Sequence, residues 1–66
     1  MTTKNNIRKY RKRANLTQKQ VADAARIAEQ LYQRYEYGTG IPSVTVGIKL
    51  AKILKTTVEE LYPDEE

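Results

Sequence analysis

Apolar side chains recur along the chain at intervals of three and four residues, which is the spacing of one face of an α-helix. No stretch alternates apolar and polar residues for long enough to suggest a β-strand. The glycine- and proline-rich punctuation is limited to residues 38–42 and Pro63. The pattern predicts an all-α fold of five short helices joined by tight turns.

Capping signals set the expected helix boundaries. Thr17 and Gln20 have the spacing of a capping box, which predicts a second helix running to about Ala25. A third helix is expected from Glu29 to the residue before Gly38. The first helix is expected over residues 4–14, the fourth over residues 44–54 after the N-cap Ser43, and the fifth after a second capping box at Thr57 and Glu60.

The helical period also predicts which residues form the core. Tyr32 and Tyr35 share the inward face of the third helix, and Arg11 lies unexpectedly on the core stripe of the first helix. On the second helix the core side is expected to hold Val21, Ala22 and Ala25. On the fourth helix, the expected core-facing residues are Val44, Gly47, Ile48, Leu50, Ala51 and Leu54.

The length of 66 residues allows one domain, so residues 1–66 are expected to form a single unit with a flexible N-terminus at 1–3 and an acidic tail at 63–66. The absence of Cys and His excludes disulfides, zinc fingers and catalysis by those residues. The carboxylates are scattered, so we expect no enzyme, no metal and no cofactor. With no signal-peptide core or apolar span, the sequence predicts a cytoplasmic protein that binds no membrane.

Charge is distributed unevenly along the chain. Residues 1–35 carry nine Lys or Arg and two acids, a net charge of +7, whereas residues 36–66 carry three Lys and six acids. This asymmetry suggests a polyanion partner for the first half, although a basic surface on a small domain is often only solvated.

One face of the third helix carries side chains suited to DNA. Gln30, Gln33, Arg34 and Tyr37 follow one another at helical spacing. Gln can make two hydrogen bonds to adenine, Arg can make two to guanine, and Tyr suits a phosphate oxygen. An isolated helix with such a face is more often an ordinary solvent-exposed one, but the capped helix that precedes this one favours the binding interpretation.

The sequence resembles the helix-turn-helix repressors of the lambdoid phage repressor and Cro type, also called the Xre family. The resemblance spans residues 7–62. It rests on Ile7-Arg8-Lys9-Tyr10-Arg11, Leu16-Thr17-Gln18-Lys19-Gln20-Val21-Ala22, Tyr35-Glu36-Tyr37-Gly38, Pro42-Ser43, Lys49-Leu50-Ala51-Lys52-Ile53-Leu54 and Val58-Glu59-Glu60-Leu61-Tyr62.

The resemblance implies a lambda-repressor-like DNA-binding domain with its helix-turn-helix at about residues 17–37. The third helix would enter the major groove of double-stranded DNA, and Arg11 would pair with Glu36. The implied base contacts are Glu29, Gln30, Gln33 and Arg34, and the implied phosphate contacts are Gln18, Lys19, Tyr37, Thr39 and Gly40. Family members bind two-fold symmetric operators as dimers, and an apolar strip of Val46, Ile53 and Tyr62 is the expected homodimer interface.

Two residues depart from the family pattern. Arg26 stands where the turn usually has Gly, and Ala28 stands where Ser or Thr usually caps the third helix. The expected function is a small transcriptional regulator, a repressor of prophage or mobile-element type. The alternative is an antitoxin-like or adaptor module that contacts a protein partner and binds DNA only secondarily.

Overall fold

The computed structural model describes residues 4–63, and within them every regular element is an α-helix. The prediction of an all-α fold with five helices is confirmed. Residues 1–3 and 64–66, where a flexible N-terminus and most of an acidic tail were expected, lie outside the described residues. The helices are α1 (Ile7–Arg13), α2 (Gln18–Ala25), α3 (Glu29–Tyr37), α4 (Val44–Ile53) and α5 (Val58–Leu61).

The capping box that opens α2 is complete. The backbone N–H of Gln20 donates to Thr17 Oγ1 at 3.0 Å, and the backbone N–H of Thr17 donates to Gln20 Oε1 at 2.8 Å. The expected box at the start of α5 forms only in half. Thr57 accepts from the Glu60 N–H at 3.1 Å, but the Glu60 carboxylate accepts instead from the Thr56 hydroxyl at 2.6 Å.

The first helix begins three residues later than the sequence predicts, because two asparagines tie the preceding segment to other helices. Asn5 Nδ2 donates to the carbonyl of Tyr35 at 3.1 Å. The backbone N–H of Asn6 donates to the Leu61 carbonyl at 2.8 Å, and its side chain donates to the Glu60 carbonyl at 3.1 Å. These bonds join the start of the domain to α3 and α5, and they replace a further helical turn.

The core is assembled from all five helices. Tyr32 is fully buried at its centre, and α2 contributes the three residues expected of it. The prediction for α4 is wrong in part, because Val44 and Ile48 are 80% and 43% exposed. The buried apolar residues are Ile7, Val21, Ala22, Ala25, Tyr32, Tyr35, Leu50, Ala51, Leu54 and Leu61.

The turn between α2 and α3 has the two features that the sequence departures suggested. Arg26 has φ 60° and ψ 44°, a left-handed conformation that costs a non-glycine residue about 1 kcal/mol. Ala28 occupies the N-cap of α3 and makes no side-chain capping hydrogen bond. The turn therefore carries this backbone cost, and α3 begins without the capping hydrogen bond that a Ser or Thr would supply.

Candidate nucleic-acid interface

Helix α3 has one buried face and one exposed face. Tyr32 and Tyr35 point into the core, whereas Gln30 and Arg34 are exposed and Gln33 is half-buried. Glu29 is exposed in the first turn, and Tyr37 is 61% exposed in the last. The structure thus places the four residues implied for base contacts, and Tyr37, on accessible parts of a single helix.

A buried carboxylate lies at the junction of α1, α2 and α3. The side chain of Glu36 is only 1% exposed, and Arg11 contacts it with two N–H groups, from Nε at 2.8 Å and from Nη2 at 3.1 Å. Tyr32 Oη donates to the carboxylate at 2.7 Å, and Gln18 Nε2 donates at 3.1 Å. Four hydrogen-bond donors thus contact the one carboxylate, so its buried charge is compensated.

These contacts set the protonation of the cluster. Burial by itself would raise the pKa of the Glu36 carboxyl, but hydrogen bonds from Arg11, Tyr32 and Gln18 outweigh burial and lower the pKa below 4.5. The hydrogen bond to Glu36 raises the pKa of Arg11, and burial together with Glu36 raises the pKa of Tyr32. At neutral pH the acid is charged and both neighbours keep their protons.

The same cluster extends to the exposed side of α3 through Gln18. Because Gln18 donates its amide N–H to Glu36, its oxygen is the atom that accepts from Gln33 Nε2, at 3.1 Å. Gln33 keeps its amide oxygen and a second N–H, which is the pair that a two-bond contact with adenine uses. Sequence reasoning missed this link, since it depends on the angle at which α2 meets α3.

The start of α2 offers donors for phosphate. The backbone N–H groups of Gln18 and Lys19 lie in the first turn, where no intrahelical acceptor exists. Lys19 Nζ lies 3.4 Å from Asp23, with both side chains about two-thirds exposed. An exposed pair of this kind contributes little stability, so Lys19 can exchange Asp23 for a phosphate.

The segment after α3 is less open to phosphate than its position suggests. The backbone N–H groups of Thr39 and Gly40 both donate to the Arg34 carbonyl, at 3.0 and 3.2 Å, and the Thr39 hydroxyl donates to the same oxygen at 3.3 Å. These bonds end α3 tightly. They leave the exposed Tyr37 hydroxyl as the more accessible hydrogen-bond donor of this segment.

The matches to known proteins agree with this geometry. A helix-turn-helix family model matches residues 7–61. The chain belongs to this family. Its resemblance to regulators of the phage repressor and Cro type is confirmed, and such proteins are DNA-binding transcriptional regulators.

The chain is also similar to the cryptic phage CTXphi transcriptional repressor RstR of Vibrio cholerae serotype O1, with 36% identity over 61 residues. That alignment covers 92% of this chain and 54% of the relative, so the chain spans about half the relative's length.

The helix-turn-helix domain has two kinds of apolar surface outside the core. Val46, Ile53 and Tyr62, the expected dimer strip, are half-buried and pack against the core residues. The Tyr62 hydroxyl is buried and has no hydrogen-bond partner among the described residues. By contrast, Ile41, Val44 and Ile48 are 69%, 80% and 43% exposed. The second group offers more apolar area to a partner than the first.

Neither a membrane-spanning helix nor a cluster of possible metal ligands occurs in the part of the chain that the structure describes. No helix within residues 4–63 has the length and apolar content needed to cross a membrane. The same residues contain no group of three or more acidic side chains placed to hold a metal ion.

Proposed function

We propose that this chain binds specific sequences in double-stranded DNA and acts as a transcriptional regulator, a small repressor of prophage or mobile-element type. One observation carries the proposal: α3 presents amides and a guanidinium outward while the Glu36 cluster fixes the helix from within. In this proposal the protein acts in the cytoplasm of a bacterium, where its operator lies.

Docking follows from the arrangement of α2 and α3. The major groove is wide enough for one α-helix, and α3 is the helix whose exposed side carries groups that match base edges. With α3 in the groove, the first-turn amides of α2 meet phosphates on one side and Tyr37 meets them on the other. These contacts fix the register in which α3 meets the bases.

Each exposed side chain of α3 has a preferred base. Arg34 can make two hydrogen bonds to the O6 and N7 atoms of guanine. Gln30 and Gln33 can each make two to adenine, and the Glu29 carboxylate can accept from the amino group of cytosine. Support for Gln33 is strongest, because Gln18 already holds its amide in one orientation.

Arg34 and Lys19 are expected to differ in the kind of loss that follows their replacement. Arg34→Ala should weaken operator binding by about 1–3 kcal/mol and relax the preference at one base pair, because a two-bond base contact disappears. Lys19→Ala should weaken binding to all sequences about equally, because it removes only a phosphate contact. Selection of bound fragments from a random pool, repeated with each variant, measures both effects. A uniform loss with Arg34→Ala would assign that residue to phosphate instead.

We further propose that the protein binds a two-fold symmetric operator as a homodimer. A helix-turn-helix dimer places its two α3 helices about 34 Å apart, one turn of DNA. Exposed area favours a contact through Val44 and Ile48, since a side chain already packed against its own core has less surface left for a partner. The half-buried strip with Ile53 is the second candidate surface.

The dimer is tested by two matched substitutions. We expect Ile48→Lys to abolish concentration-dependent association in sedimentation and cooperative binding to the two half-sites, because it places a charge in an apolar contact. Ile53→Lys is the comparison on the other surface, and a thermal melt of each variant reports whether it remains folded. Wild-type protein that stays monomeric at high concentration and protects one half-site would contradict the homodimer.

A further inference from the structure

Leu31 is the one large aliphatic side chain that α3 exposes. It is 37% exposed, in the first turn and a half of a helix whose other exposed residues are polar or aromatic. Its β-carbon lies one helical turn before that of Arg34, a spacing at which side chains are about 5–6 Å apart. Neither the polar face nor the core accounts for a leucine at this position.

The rotation of the helix places Leu31 at the edge of the face proposed for DNA. At about 100° per residue, Leu31 lies about 60° from Arg34 and 100° from Gln30. It therefore borders the guanidinium on one side of the face, as Gln30 borders it on the other at about 40°. The first turns of a helix in the major groove lie closest to the bases, so a side chain at residue 31 is within their reach.

We propose that Leu31 contacts the 5-methyl group of a thymine in the operator and so determines specificity by an apolar contact. The inference rests on the proposed function. The thymine methyl is the apolar group that the major groove presents, and no other base carries one there. Leucine cannot hydrogen-bond to a base edge, so this contact is the one that removes its exposed surface from water.

The neighbouring Arg34 fixes where this thymine must lie. Adjacent base pairs are stacked about 3.4 Å apart, and the two side chains differ by one helical turn. Because the base pair that Arg34 contacts is G·C and holds no thymine, the thymine lies at a base pair directly next to it. A guanine for Arg34 and a thymine for Leu31 are then neighbours in the operator.

The test removes one methyl group at a time. The operator is first obtained by selection with the wild-type protein, and each thymine is then replaced by deoxyuridine, which differs only by that methyl. At one position next to the Arg34 contact, wild-type affinity should fall about three- to fivefold, the factor for one buried methyl group.

Two variants then assign the methyl contact to a residue. For the variant Leu31→Ala, operators with thymine and with deoxyuridine at that position should bind equally well. Val58→Ala is the matched control, because Val58 is 38% exposed and lies outside α3, and it should keep the full deoxyuridine penalty.

Each outcome decides the inference. Wild-type protein that tolerates every deoxyuridine, an operator with no thymine within one base pair of the Arg34 position, or a penalty that persists in Leu31→Ala would overturn it. Such results would leave sequence-specific binding itself intact. Failure of the selection to enrich any sequence would instead overturn the proposed function, and the Leu31 contact with it.

Discussion

Replacing Glu36 by Gln is expected to lower the free energy of unfolding by about 3 kcal/mol, the lower end of the range for breaking a buried ion pair. Every group that contacts the carboxylate is a donor: Arg11 through two N–H groups, Tyr32 through its hydroxyl and Gln18 through its amide. The glutamine amide has only one acceptor atom. Whichever way it is placed, its NH2 group faces an N–H of Arg11, and a charged guanidinium that is 13% exposed loses its partner.

A double-mutant cycle measures how much of this loss belongs to the pair. Arg11→Met leaves the carboxylate buried and also removes the bond from Nη1 to the Leu16 carbonyl, at 2.9 Å. We expect the double variant Arg11→Met with Glu36→Gln to be more stable than the sum of the single losses predicts, since neither charge is then left alone. The exposed pair Lys19–Asp23 is the matched control, with an expected coupling below about 1 kcal/mol. If the loss of stability in the double variant equalled the sum of the two single losses, the coupling would be contradicted.

The pH dependence supplies a second readout of the same contact. The pKa of Glu36 is lowered in the folded protein, so its contribution to stability is present above about pH 4.5 and is lost as the pH falls through the folded value. Urea unfolding at pH 7 should therefore separate the wild-type protein from Glu36→Gln, and the difference should shrink at pH 3. A difference that stayed constant between these pH values would show that the charge of Glu36 does not stabilise the fold.

Features that depend on neighbours in sequence were predictable. The capping box at Thr17 and Gln20 needs only a spacing of three residues, and the structure contains both of its bonds. Tyr32 and Tyr35 are buried as expected because the helical period of α3 separates them from the polar side. For the same reason, the residues implied for base contacts lie together on accessible turns of one helix.

Features that depend on how the helices meet were not predictable. The start of α1 is delayed by bonds from Asn5 and Asn6 to carbonyls 30 and more residues away, which no local pattern contains. A helical wheel placed Gly47 and Ala51 at the middle of the apolar side of α4, where both are buried, but it did not show how far the buried part extends. Val44 and Ile48 lie at the exposed edge of that side. The bond between Gln18 and Gln33 likewise requires the angle between α2 and α3.

Raising the salt concentration from 50 to 200 mM is expected to weaken operator binding about a thousandfold. Among the described residues only Arg11 and Lys19 form ion pairs, so most of the basic side chains in the first half have no acidic partner and can meet phosphates. If a dimer neutralises about six phosphates, log K falls against log[salt] with a slope of about −5. Titrations of one operator duplex at four or five salt concentrations give this slope directly.

Two lysine variants show which surface contributes to the slope. Lys19→Ala should make it shallower by about 1 for each protomer, because in the proposed docking Lys19 extends from the end of α2 that faces phosphate. Lys52→Ala is the control. Lys52 lines a groove of about 430 Å³ with Ala24, and Ala24 lies about 140° around α2 from Lys19. The slope should therefore stay unchanged when Lys52 is replaced. If Lys52→Ala reduced it as much as Lys19→Ala, the phosphate contacts would extend to the α4 side of α2, which would contradict the proposed docking.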